Sequence, residues 1–152
     1  MRALLWIALA AGLAWGQRTP SQTQKGLKVA EGLEVTVWAA EPDVVNPTSM
    51  DIDAKGRVWY LEAVNYRRKL KNQPDLRKEG DRIVILEDTD GDGKMDRKKI
   101  FHQDPALRSP LGIAVLGNKV IVSQSPDIIV YTKDEDDRII SREVLLTEIF
   151  PA

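Results

Sequence analysis

The residues best suited to chemistry are Asp88-Thr89-Asp90-Gly91-Asp92-Gly93-Lys94-Met95-Asp96. Asp88, Asp90, Asp92 and Asp96 occupy positions one, three, five and nine of a tight loop, from which carboxylates converge on one point. Lys94, at position seven, offers its backbone carbonyl, and Gly93, at six, meets the need for a sharp turn. Oxygen ligands carrying this much charge select calcium over softer metals. The alternative is a solvated acidic turn without metal, in which the crowded carboxylates would repel one another. The flanks argue against an EF-hand. Position twelve is Lys99 rather than a bidentate glutamate, and the preceding Arg82-Ile83-Val84-Ile85-Leu86-Glu87 is β-branched with no helical period. The loop is expected to cap a β-hairpin.

Other candidates are sparser. His102, the single histidine, titrates near neutral pH and could serve as a base, although no partner is identifiable for it. Glu62, Asn65 and Tyr66 leave a predicted strand together. After them comes a basic stretch: from Tyr66 to Arg82, seven Lys or Arg stand against three acids. Its two readings are an anion or cofactor surface and a solvated polar loop. No nucleophile elbow, phosphate-binding loop or histidine-based metal spacing is present.

The elements that must position these residues are short strands. Leu33 to Ala39 alternates apolar and polar residues and stops at Glu41-Pro42, and Asn46-Pro47 breaks the chain again. Met50-Asp51-Ile52-Asp53, the turn Ala54-Lys55-Gly56 and Arg57-Val58-Trp59-Tyr60-Leu61 predict an antiparallel hairpin. Laid on itself, the chain repeats. Residues from Ile85 onward align on those from Val130 onward at a shift of 45, and Gly56–Tyr60 align on Asn118–Val122 at a shift of 62. The difference of 17 residues is an insertion between the second and third strands of the first unit, near Val64–Gly80.

Four short strands per unit is the signature of a β-propeller blade. The expected fold is therefore all-β: two four-stranded blades, near 48–101 and 110–147, plus one N-terminal strand at 33–39. Their strands are expected near 49–53, 57–62, 82–87 and 97–101, then near 111–116, 119–124, 127–132 and 142–147. Two blades do not close a propeller, so residues 32–152 read as an incomplete one. In the second unit Asp88 becomes Lys133, Asp90 becomes Glu135, Gly93 becomes Arg138 and Asp96 becomes Ser141; only Asp92 keeps its type, as Asp137. A second calcium loop is not expected there. In a propeller, the loops joining second to third strands share one face with the crossovers between blades. The insertion and the crossover beginning at His102 are thus expected on the ligand face, with the acidic hairpin at the opposite end.

The chain has 152 residues, a formal charge of −1 and no cysteine. It carries no strongly basic field for nucleic acid, and no disulfide, thiolate metal site or Cys-x-x-Cys-His haem attachment. Met1-Arg2 followed by the apolar run Ala3–Leu13 and Ala14-Trp15-Gly16 reads as a signal peptide over residues 1–16. The apolar run is shorter than the roughly 20 residues a membrane span requires, so no spanning segment is expected after cleavage. An exported location, periplasmic or extracellular, follows. Residues 17–31 are polar and read as a disordered leader.

The order Ala39-Ala40-Glu41-Pro42, Asn46-Pro47, Asp53-x-x-Gly56-Arg57-Val58-Trp59, Glu62-x-x-x-Tyr66, Gly80-Asp81-Arg82-Ile83 and Asp88-Thr89-Asp90-Gly91-Asp92-Gly93 resembles the N-terminal region of the exported "membrane-bound dehydrogenase" propellers. Those are similar to pyrroloquinoline-quinone-dependent sugar dehydrogenases and often carry a cytochrome c domain further on. The resemblance covers about residues 33–150 and implies oxidation of a sugar or other alcohol, with electrons passing to the quinone and then to haem. A departure is Arg67, which stands where the family commonly has proline. The resemblance assigns no quinone contact to this sequence, so the weak catalytic candidates remain Glu62, Tyr66 and His102. The competing reading is a non-catalytic, calcium-stabilised propeller that binds carbohydrate or protein, or an inactive fragment.

Overall fold

The computed structural model describes residues 18–68 and 71–147, so the expected signal peptide lies outside the described residues. The chain divides into two units, residues 1–37 and 38–152. In the first, helix α1 (Pro20–Gly26) occupies the stretch expected to be a disordered leader. Its signal is local: Thr19 is the N-cap, its side chain and that of Gln22 form a reciprocal capping box, and Pro20 supplies a preset φ at the first helical position. The helix buries no residue. Among the described residues no helix is long and apolar enough to cross a membrane.

The second unit holds two four-stranded antiparallel sheets. The first runs in the order β1 (Pro47–Ile52), β2 (Val58–Glu62), β3 (Arg82–Glu87), β4 (Arg97–Gln103). The second runs β5 (Gly112–Leu116), β6 (Lys119–Gln124), β7 (Asp127–Lys133), β8 (Ile139–Leu146). This is the predicted pair of propeller blades. The expected N-terminal strand at 33–39 is a correction: these residues join no ladder. Their alternation gives an extended preference, but a strand is defined by a hydrogen-bonded neighbour, and neither sheet pairs an edge with them.

Alternation within each strand sorts residues to the two faces of a blade. In the first sheet Trp59, Leu61, Ile83, Ile85 and Phe101 face the second, whose Val115, Val120, Val122, Ile129 and Tyr131 complete one core with Leu107 of the crossover. Trp59 and Phe101 meet edge-on, with centroids 4.9 Å apart, and Phe101 meets Tyr131 the same way at 6.2 Å. The opposite face of the first sheet carries Tyr60, Val84 and Leu86, packed against Trp38, Ala39, Val44 and Met95. Burial on both faces explains why β2 and β3 read as almost continuous apolar runs. β8 is exposed along nearly its whole length.

Candidate functional site

The hairpin joining β3 to β4 holds the acidic loop. Oxygens of Asp88, Asp90 and Asp96 lie within 4.8 Å of one another. The three carboxylates therefore stand close enough for one cation to bridge them, and an all-oxygen donor set of this kind suits calcium. The loop is shaped by its own carboxylates. Asp88 Oδ1 accepts from the Gly91 N–H at 2.7 Å and Oδ2 from the Gly93 N–H at 2.9 Å. Asp96 closes the loop through the Thr89 N–H at 3.1 Å and hydroxyl at 2.7 Å. Gly91 and Gly93 both have positive φ, 76° and 83°, the region in which a side chain is strained. Desolvation pushes the Asp88 carboxyl up, but the Gly93 and Gly91 N–H groups and the other hydrogen bonds of the loop together outweigh it and hold it below the usual range. Asp92 stands outside the converging three, its Oδ1 accepting from the Lys94 N–H at 2.8 Å. The Met95 N–H donates to the Trp38 carbonyl, which ties the hairpin to the segment covering the first blade.

At the same end of the blades is a buried ionic cluster centred on Arg57. Its guanidinium donates to both oxygens of Asp137, at 2.6 and 3.1 Å, and its Nε to Asp53 Oδ2 at 2.8 Å. Asp53 also accepts from Trp59 Nε1 at 2.9 Å and from the N–H groups of Lys55 and Arg57. Lys133 reaches Asp137 at 2.9 Å and Lys99 reaches it at 3.5 Å. Burial pushes the Asp137 carboxyl up, and the hydrogen bonds from Arg57 and Lys133 overcome this and carry it far below the usual range. The Asp137 hydrogen bonds raise Arg57 in turn. The Asp-x-x-Gly-Arg-Val-Trp sequence is thus a structural unit: Asp53 closes the β1–β2 turn and orients the arginine that crosses to the second blade.

At the opposite end, the insertion between β2 and β3 meets the crossover to β5, as the sequence implies. Asp81, fully buried, accepts from the Asn65 N–H at 3.0 Å and the Ser109 N–H at 2.7 Å. Desolvation raises its pKa despite those two bonds. Asn65 folds the insertion over itself, accepting from the N–H groups of Leu76 and Arg77 and donating to the Arg77 carbonyl. Glu62 is 1% exposed. Its carboxylate accepts from the Tyr60 hydroxyl at 3.0 Å and pairs with Arg77, Arg82 and Lys98. Burial and the Glu62 charge raise the Tyr60 pKa far above the ordinary phenol value.

These placements separate the sequence candidates. Glu62 is the hub of a buried ion cluster rather than an open carboxylate. His102 packs against Tyr131 of the second blade at 4.9 Å, and burial lowers its pKa, with Asp104 opposing and Arg142 reinforcing the shift. Tyr66 stands at the surface beneath the Arg67 guanidinium, 5.3 Å from the ring centroid. The Arg57–Asp137 cluster was not read from the sequence. Its available signals were Asp137, the one position of the altered loop that keeps its aspartate, and Lys133 at that loop's first position.

The chain belongs to the family described as a domain of unknown function, DUF7133, whose model matches residues 19–150. No curated protein matches the sequence. Among solved structures, the chain is similar to the holo form of the PQQ domain of pyranose dehydrogenase from Coprinopsis cinerea. The identity is 19% and the TM-score 0.57, over 79% of this chain and 25% of that one. A calcium structure of a Trichoderma reesei carbohydrate-active enzyme of family AA12 matches at 22% identity and a TM-score of 0.45, over 66% of this chain and 22% of that one. The chain spans about a quarter of the length of the solved structures it matches. What the pyranose dehydrogenase likeness establishes is the fold: a piece of a quinoprotein-like propeller.

Proposed function

We propose that the chain forms part of an exported quinoprotein-like dehydrogenase that oxidises a sugar or other alcohol, with a structural calcium ion in the β3–β4 hairpin. The observation supporting this reading is the fold shared with a quinone-binding domain of a pyranose dehydrogenase. When bound in the complete propeller, pyrroloquinoline quinone supplies a two-electron acceptor, and a cytochrome c domain is the proposed onward acceptor. The contribution of this chain is structural: its insertion and crossover, locked by Asp81, form one rim of the ligand face. The test is reconstitution of the complete protein with the quinone and calcium, followed by dye reduction with a panel of sugars and alcohols. Substrate-dependent reduction that requires the quinone is the expected result, and no reduction with any substrate refutes the reading.

The calcium assignment has its own readout. Asp88, Asp90 and Asp96 would hold the ion at the end of the blade opposite the ligand face, so the metal acts on stability. A hundredfold excess of calcium over its Kd should raise the melting temperature by roughly 5–10 °C, with EDTA reversing the shift. Asp90→Asn should abolish the calcium response. A melting temperature indifferent to calcium removes the metal from the loop.

A further inference from the structure

The inserted loop between β2 and β3 does more than link two strands. The second blade joins the equivalent strands through Ser125 and Pro126 alone, whereas the first uses residues 63–81. Loops of this length inside a compact fold usually carry function. The described residues of this one are tied together at several points. Asn65 bonds its backbone at three points, Asp81 fixes both of its ends to the crossover region, and Arg68 Nε donates to the Pro74 carbonyl.

Apart from the exposed Lys78 and Glu79, the charges of its described residues divide into two sets. Arg77 and Arg82 turn inward to Glu62, Asp75 pairs with Arg108, and Asp81 is buried on backbone N–H groups. Arg67, Arg68 and Lys71 form a second set on one turn, since the Lys71 N–H donates to the carbonyls of both Arg67 and Arg68. Among the described residues none of these three makes an ion pair with an acid. Arg67 lies over the half-exposed ring of Tyr66, and it holds a left-handed backbone conformation, φ 58°, that a side-chain-bearing residue seldom adopts without a compensating role. Three cations without acid partners among the described residues, grouped beside an aromatic ring, describe a recognition surface for a negatively charged ligand.

We propose that Tyr66, Arg67, Arg68 and Lys71 form a binding ledge for an anionic polysaccharide bearing carboxylate or sulfate groups. Guanidinium groups grip such anions through paired N–H donors, and lysine adds a point charge. The Tyr66 ring, at the surface with Arg67 over one face, would meet the C–H face of a sugar ring with the other. A protein partner fits less well, because protein interfaces are built around an apolar core, and this turn presents cations around a single ring. The ledge is independent of the dehydrogenase reading, since it needs neither quinone nor calcium.

Affinity electrophoresis of the full chain through polygalacturonate, dextran sulfate and neutral dextran tests it. Retardation by the two anionic polymers and none by neutral dextran is expected. In R67A/R68A/K71A the apparent affinity should fall by at least about tenfold, and added salt should weaken the wild-type interaction. Tyr66→Ala should weaken binding at high salt, where the ring contributes more of what remains. Arg68 is half-buried and holds the Pro74 carbonyl, so R67A/K71A is measured beside the triple variant. Its affinity should also fall, while its circular dichroism and melting temperature, and those of Tyr66→Ala, match the wild type because the side chains changed lie at the surface. Retardation of the triple variant equal to wild type overturns the ledge. Equal or stronger binding to polyglutamate, or binding confined to phosphatidylglycerol vesicles, overturns the saccharide assignment.

Discussion

Asp137→Ala is expected to destabilise the fold by about 3–5 kcal/mol, measured as a drop in the urea midpoint. The acid is 6% exposed and holds Arg57 through two hydrogen bonds and Lys133 through a third contact. Removing it leaves a buried guanidinium with only Asp53 as a counterion, and the larger part of the cost is that stranded charge rather than the lost attraction. Asp137→Asn retains the shape and some hydrogen bonding, so its loss should be smaller. The pH response follows with a definite sign. The carboxyl is held below its unfolded value, roughly 3.9, so its contribution is present above about pH 4 and disappears as the pH falls further. The Asn variant should lack this part of the acid-induced loss. If wild type and Asp137→Asn lose stability in parallel on acidification, the ionic account of the cluster is wrong.

The same cluster explains the fate of the second acidic loop. Both blades place an acidic turn between their third and fourth strands. In the first, the carboxylates of Asp88, Asp90 and Asp96 converge at the surface, where a divalent ion can reach them. In the second, the retained acid is turned inward and surrounded by cations from three places: Arg57 and Lys99 of the first blade and Lys133 of its own hairpin. Lys133 stands where the first loop has Asp88, so a positive charge occupies the position of a metal-binding acid. One hairpin leaves its carboxylates converging at the surface, while the other is neutralised internally and ties two blades together.

Much of this was legible in the sequence because its causes are local or repeated. Period-two alternation, turn residues and the self-alignment located all eight strands, β3 and β6 at their observed ends. β8 begins earlier than expected, at Ile139, because Ser141 pairs with Thr132 and Ile139 with Lys133, carrying the ladder past a register shift to the edge of the turn. The reading failed where identity and partner were separated along the chain. Glu62 looked like an open candidate because its cations come from Arg77, Arg82 and Lys98, on a loop and two other strands. Residues 33–39 looked like a strand because alternation reports an extended preference and not a partner. Helix α1 was missed for the opposite reason: a short polar helix specified by its cap has no apolar stripe to detect.

Gly80→Ala is expected to cost at least about 4 kcal/mol or to prevent folding, measured by urea unfolding and by recovery of soluble protein. Two effects combine at this position. The backbone has φ +90°, where an L side chain is strained, and an added Cβ would lie 1.8 Å from the Asp104 carbonyl oxygen and 2.4 Å from its carbon. Those atoms are backbone, so relief requires the crossover to move away from the insertion. That movement pulls on the neighbouring lock, in which Asp81 holds the N–H groups of Asn65 and Ser109, and the Asp81 N–H itself donates to the Leu107 carbonyl. Gly56→Ala separates the two effects, because Gly56 has φ +77° and nothing within 4 Å of the added carbon. That variant carries the conformational strain alone, about 1–2 kcal/mol. The excess loss in Gly80→Ala then measures the close approach of insertion and crossover, and equal losses in the two variants would show that this approach does not constrain the fold.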